Sequence, residues 1–191
     1  SSITGYHDSD GGNADAFAKK ARDLDVVIEA VFENLELKHK VFGTVSGLVR
    51  DDCVLATNTS AIPIEKVAAG IDRPERVLGM HYFSPVPSMQ LLEIIPHAGT
   101  NEESMSKAFG VGIKQGKTCI EVADVPGFYV NRALAPMMAE VAPLFEDGVT
   151  PKQLDEAILD LGMPVGPITL LDEVGADVGL HVQHTMLADS T

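Results

Sequence analysis

Two residue types able to move a proton stand twelve positions apart in Gly79-Met80-His81-Tyr82-Phe83-Ser84-Pro85-Val86-Pro87-Ser88-Met89-Gln90-Leu91-Leu92-Glu93. His81 falls at the end of one predicted strand and Glu93 within the next. Pro85 and Pro87 impose a defined turn between them, so neighbouring strands can bring imidazole and carboxylate together. A carboxylate beside one ring nitrogen fixes the tautomer and stabilises the imidazolium, which leaves the other nitrogen free to take a proton. The plainer alternative is a hydrogen-bonded structural histidine and a surface glutamate. Spacing alone does not separate the two.

Further polar groups gather after predicted strands. Thr57-Asn58-Thr59-Ser60 follows one directly, where open α/β sheets collect ligands and where hydroxyl and amide groups can hydrogen-bond them. The same residues also suit a polar turn leading into the helix after Pro63. Glu29-Ala30-Val31-Phe32-Glu33-Asn34 follows another strand. An acidic residue there can hold a ribose hydroxyl, or simply answer a helix dipole. Asn131-Arg132 is equally open to both readings. Two weaker signals are rejected. Gly110-Val111-Gly112-Ile113-Lys114-Gln115-Gly116 has the wrong final spacing for a dinucleotide loop and lies in a predicted helix. His181 and His184 stand three apart without an acidic or thiol partner, so no metal site is expected.

The positioning elements are read from periodicity. Residues 25–31 form an apolar run of strand length, as in a sheet covered on both faces. Leu37, Val41, Val45 and Leu48 follow at helical spacing, with Glu36, Lys38 and Lys40 as a polar stripe. Strands are predicted at 54–57, 76–80, 91–95 and 118–122, and a short helix at 64–69 entered through Pro63. Asn101 caps a helix with Glu102 and Glu103 in its first turn and Met105, Ala108, Phe109 and Gly112 on one face. This alternation predicts a mostly parallel α/β sheet. Beyond Asp124-Val125-Pro126-Gly127 only helices are predicted. One runs through Leu134, Met138, Val141 and Phe145, bent or interrupted by Pro136 and Pro143. Another is opened by a capping box at Thr150-Pro151-Lys152-Gln153, carries Leu154, Ala157, Ile158 and Leu161, and stops at Gly162. A third runs from Pro167 through Val182. The expected division is therefore 1–124, α/β, and 125–191, helical.

Composition bounds the partners. Of 191 residues, 45% are apolar and 22% charged, the profile of a soluble globular chain with a real core. The formal charge of −14, with no basic run, argues against nucleic acid. Cys53 and Cys119 sit in separate apolar runs and read as buried reduced thiols. No apolar stretch is long enough to span a bilayer. The first residues have neither the basic start nor the apolar core of a signal peptide. They also lack an initiator Met, which fits a chain that begins inside a longer protein.

From His81 to Glu93 the run His-Tyr-Phe-Ser-Pro-x-x-x-Met-x-Leu-x-Glu resembles the signature of L-3-hydroxyacyl-CoA dehydrogenases, in the form found in the multifunctional alpha subunits of fatty-acid β-oxidation complexes. Residues 27–35, 57–60, 126–132 and 162–167 resemble further family segments, in the same order. The likeness runs from about residue 24 to 185. It implies that His81 removes the proton of a 3-hydroxyl while hydride passes to NAD, giving a 3-ketoacyl-CoA, and that Glu93 orients His81. Ser60 would hydrogen-bond the reacting oxygen, and Asn131 the thioester or 3-oxygen. Val31, Glu33, Lys38, Asn58 and Ser84 would line the NAD site. Ser84 stands where the monofunctional enzymes have Asn.

The resemblance also implies a missing front. A strand, a Gly-x-Gly-x-x-Gly turn for the pyrophosphate and a second strand ending in an acidic residue are expected there, and none is found. An incomplete Rossmann-type sheet with an open edge, followed by a truncated all-helical substrate and dimerisation domain, is therefore expected, with weak NAD binding for this piece alone. The implied partners are an acyl-CoA substrate and a homodimer or larger β-oxidation complex, in bacterial cytoplasm or, alternatively, a mitochondrial matrix. The rival readings are a catalytically silent assembly piece and a dehydrogenase of small hydroxy acids.

Overall fold

In the computed structural model, which describes residues 13–175, five strands form one mixed sheet flanked by helices, and a helical region follows. The strands β1 (Val26–Glu29), β2 (Val54–Thr57), β3 (Val77–Tyr82), β4 (Leu91–Pro96) and β5 (Thr118–Glu121) lie side by side in chain order. α1 (Asn13–Lys20) precedes β1, while α2 (Leu35–Ser46), α3 (Ile64–Ala68) and α4 (Glu102–Lys114) cross between parallel neighbours. Among the described strands only β3 and β4 are antiparallel. Their connection, 83–90, is too short for a parallel return, which needs about a dozen residues or more.

Alternation along the strands separates two apolar layers. Leu55, Val77 and Ile95 face Phe42, Ile64 and Val67 of α2 and α3, with Phe128 closing the layer. Val54, Ala56, Leu78, Met80, Leu92 and Ile94 face α4 through Ala108. The predicted caps form: Asn34 Oδ1 accepts from the Leu37 amide at 2.9 Å, and Asn101 Oδ1 from the Ser104 amide at 2.8 Å. The turn before α3 is held differently from expectation. Asp124, far along the chain, accepts from the amides of Ile64 (2.6 Å) and Glu65 (2.8 Å), and burial pushes its carboxyl up.

In the helical region α5 (Val130–Ala139) and α6 (Val141–Glu146) part at Glu140. Pro143 has no N–H to offer the carbonyl of Ala139, and this is where the helix breaks. α7 (Pro151–Asp160) opens with the predicted capping box of Thr150 and Gln153. Asp155 accepts from the Ile168 amide (2.8 Å) and the Thr169 amide (3.1 Å) and so fixes the start of α8 (Pro167–Val174). Residues 176–191, with His181, His184 and the rest of the third predicted helix, lie outside the described residues.

Three expectations need correction. Lys38, assigned to the polar stripe of α2, is 1% exposed, and the helix buries Lys38 and Phe42 rather than the line through Leu37 and Val41. β1 is not covered on both faces: Ile28 is 36% exposed, and among the described residues no strand pairs with its outer edge. Leu161, counted in the apolar face of α7, is 80% exposed.

Candidate active site

His81 and Glu93 are cross-strand partners in the β3–β4 register. Directly opposed residues of an antiparallel pair project from the same face of the sheet, so the antiparallel turn brings the two side chains together. His81 Nδ1 lies 2.7 Å from Glu93 Oε2, with His81 5% and Glu93 0% exposed. The second carboxylate oxygen, Oε1, accepts from the backbone amides of Tyr129 (3.1 Å) and Val130 (2.9 Å) at the start of α5. Glu93 therefore carries three donors and faces the positive end of a helix. The His81 ring is flanked by Phe83 (centroids 4.6 Å apart) and Phe128 (5.7 Å). With Nδ1 engaged, Nε2 is the nitrogen left to exchange a proton.

The amides at 129 and 130 reach Glu93 because the chain turns sharply just before them. Gly127 has φ 76° and Phe128 φ 50°, two successive left-handed residues. Such a conformation costs a residue with a Cβ about 1–2 kcal/mol. Beside this turn a cavity of about 530 Å³ is lined by Glu121, Val122, Val125, Phe128, Tyr129 and Arg132 among others, mostly apolar with one carboxylate and one guanidinium.

A second cluster forms at the ends of β1 and β2. Glu33 Oε1 accepts from the Thr59 hydroxyl (2.5 Å) and from the amides of Ser60 (2.9 Å) and Ala61 (3.1 Å). Burial pushes its pKa up, but the Thr59 hydroxyl, the Lys38 charge and the two amides outweigh this and hold the carboxyl below its ordinary value. Lys38 Nζ donates to both oxygens of Glu29 at 3.1 Å and lies 3.4 Å from Glu33 Oε2. Asn58 Oδ1 accepts from the Tyr82 amide at 2.8 Å, which ties the end of β2 to the residue after His81. Asn131 Nδ2 donates to the Ser60 carbonyl at 3.1 Å and joins α5 to the same turn.

The structure thus pairs His81 with Glu93, Ser60 with Asn131, and Glu33 with Lys38. The amide of Val31 donates to Glu29. Ser84 lies on the exposed connection 83–90, which Lys117 Nζ holds by donating to the carbonyls of Val86 (2.5 Å) and Met89 (2.6 Å). Sequence reasoning placed Thr59 in a candidate ligand-binding turn without its bond to Glu33, and missed the amides of Tyr129 and Val130, and Lys117. Backbone donors leave no mark in residue type, and only the Pro126-Gly127 turn hinted at them.

Residues 10–125 match the family model "3-hydroxyacyl-CoA dehydrogenase, NAD binding domain", and residues 127–191 match "3-hydroxyacyl-CoA dehydrogenase, C-terminal domain". The fatty acid oxidation complex subunit alpha of Vibrio campbellii is 52% identical over 159 residues, 83% of this chain and 23% of that protein. The chain spans under a quarter of the length of the curated relatives it matches. Among solved structures, Mycobacterium tuberculosis FadB2 superposes with a TM-score of 0.84 at 33% identity, covering 96% of this chain and 68% of that one. The (S)-3-hydroxybutyryl-CoA dehydrogenase of Ralstonia eutropha gives 0.82 at 35% identity with the same coverage. Sequence and sheet converge: this chain belongs to the 3-hydroxyacyl-CoA dehydrogenase family.

Proposed function

We propose that the protein containing this chain oxidises L-3-hydroxyacyl-CoA to 3-ketoacyl-CoA with NAD in fatty-acid β-oxidation. The carrying observation is the buried His81–Glu93 pair at 2.7 Å. His81 Nε2 takes the hydroxyl proton. Glu93 holds Nδ1–H, keeps the ring in the productive tautomer and offsets its charge once protonated. Ser60 and Asn131, joined by the bond from Asn131 Nδ2 to the Ser60 carbonyl, serve the substrate oxygens. The acyl chain is assigned to the cavity beside Tyr129 and Arg132, apolar along most of its wall.

The residues at the strand ends suit the cofactor in part. Among the described residues the Ser60 hydroxyl and Asn58 Nδ2 have no protein partner, and Glu33 Oε2 has only Lys38. Hydroxyl, amide and carboxylate groups of this kind match a ribose and a carboxamide, and the family resemblance assigns Val31 and Ser84 to the same site. NAD, when bound, supplies the hydride acceptor. No glycine-rich strand-to-helix turn is found among the described residues, so nothing described here cradles a pyrophosphate.

In this reading residues 1–124 form the cofactor part and 125–191 the helical substrate and dimerisation part. The matched relatives' name supports membership of a larger oxidation complex, and their bacterial sources support a cytoplasmic setting. No described helix is long and apolar enough to cross a membrane. The test is NADH oxidation with acetoacetyl-CoA at high protein concentration. Turnover that His81→Asn abolishes supports the reading. Absence of turnover in the unaltered protein favours the silent assembly piece.

A further inference from the structure

Glu29, Glu33 and Lys38 come from three places, the end of β1, the following loop and the first turns of α2, yet they meet in one buried cluster. The side chains of Glu29 and Lys38 are each 1% exposed, and that of Glu33 is 24% exposed. A buried ion pair is weak evidence for stability, because desolvation offsets its attraction. What such a pair does well is fix geometry.

The hydrogen bonds divide the roles. Glu29 is saturated: Oε1 accepts from the Val31 amide and Lys38, and Oε2 from Lys38 and the Thr57 hydroxyl at 2.8 Å. Glu29 thus has no acceptor left for a ligand. Lys38 is enclosed and, among the described residues, reaches nothing outside the cluster. Glu33 differs, since its Oε1 holds the 59–61 turn while Oε2 has only the longer Lys38 contact at 3.4 Å. Two carboxylates and one ammonium leave one net negative charge. Because Glu29 takes the ammonium from both of its oxygens, that charge resides on Glu33, beside Ser60.

We propose that Glu29 is a positioning residue, competing with Glu33 for the Lys38 ammonium and so leaving the Glu33 carboxylate without a full counter-charge, in place and able to accept from a ligand hydroxyl. The ligand assignment rests on the cofactor reading above; the coupling does not. Removal of the Glu29 charge hands Lys38 to Glu33 alone, which quenches the one exposed acceptor and strains the turn it holds.

The test uses the full chain with Glu29→Gln, Glu33→Gln and the double variant. Backbone amide resonances of Ser60 and Ala61 report the Glu33 carboxylate, and NADH fluorescence gives the dissociation constant. In Glu29→Gln both amides shift and NADH binding weakens about tenfold, a coupling ordinary within one buried network. In the Glu33→Gln background the same substitution costs no further affinity. Thr57→Val, which removes one bond from Glu29, shifts the same amides less and serves if Glu29→Gln does not fold. Unmoved amides, or affinity losses that simply add, overturn the proposal. Amides that move in a protein whose unaltered form binds no NADH uphold the coupling and sink the cofactor reading instead.

Discussion

The Val130 amide donates to Glu93 Oε1 at 2.9 Å, so the acid that supports His81 is itself held by the first turn of α5. The His81–Glu93 pair belongs to the sheet, but the carboxylate is anchored from the helical region. Displacement of α5 would therefore reach His81 through a single carboxylate.

Glu93→Gln keeps the shape but puts an amide where a carboxylate holds Nδ1–H. We expect kcat for acetoacetyl-CoA reduction to fall about 10²- to 10⁴-fold, the range for general acid–base groups, with little change in NADH binding. A kcat within twofold of the unaltered protein would remove Glu93 from the mechanism.

Gly127→Ala places a Cβ where φ is 76°. The expected cost is about 1–2 kcal/mol in urea unfolding. Because the amides at 129 and 130 move with the turn, kcat falls as well. Loss of stability with full kcat would show that the turn is not what aims those amides.

Lys117→Met releases the carbonyls of Val86 and Met89 and loosens the connection that bears Ser84. NADH affinity should fall about fivefold, equivalent to roughly 1 kcal/mol of lost hydrogen bonding, while kcat holds. Unchanged NADH titrations would leave the tether without a role in binding.

Glu33 has a folded-state pKa lowered from its ordinary 4.5, so the fold binds fewer protons there than the unfolded chain. The stability it contributes is present above about pH 4.5 and is lost as pH falls through the lower folded value. Thermal melts across this window should show a shallower acid decline for Glu33→Gln than for the unaltered protein. Curves of equal slope would contradict the hydrogen-bond assignment.

Much of this molecule was legible from its residues. Val54–Thr57 emerged as a strand because an apolar run between turn signals has few other solutions, and Thr150 with Gln153 formed the box their spacing dictates. Lys38 was not legible. A lysine on a helix reads as solvent-facing, and only the meeting of β1 with α2 brings Glu29 close enough to bury it. The partners of Asp124 and Glu93 were hidden for a related reason, since backbone amides are common to every residue and become specific only once the chain is folded. The pairing of His81 with Glu93 needed both sources: residue type suggested it, and strand register delivered it.

The outer rim of β1 carries a last consequence. Val26 to Glu29 present main-chain donors and acceptors that no described strand takes up, beside a half-bare Ile28. A peptide ladder with one side open is a template for growth. Ile28→Lys sets a charge beside that rim, so any association by strand addition seen at rising concentration should weaken with it.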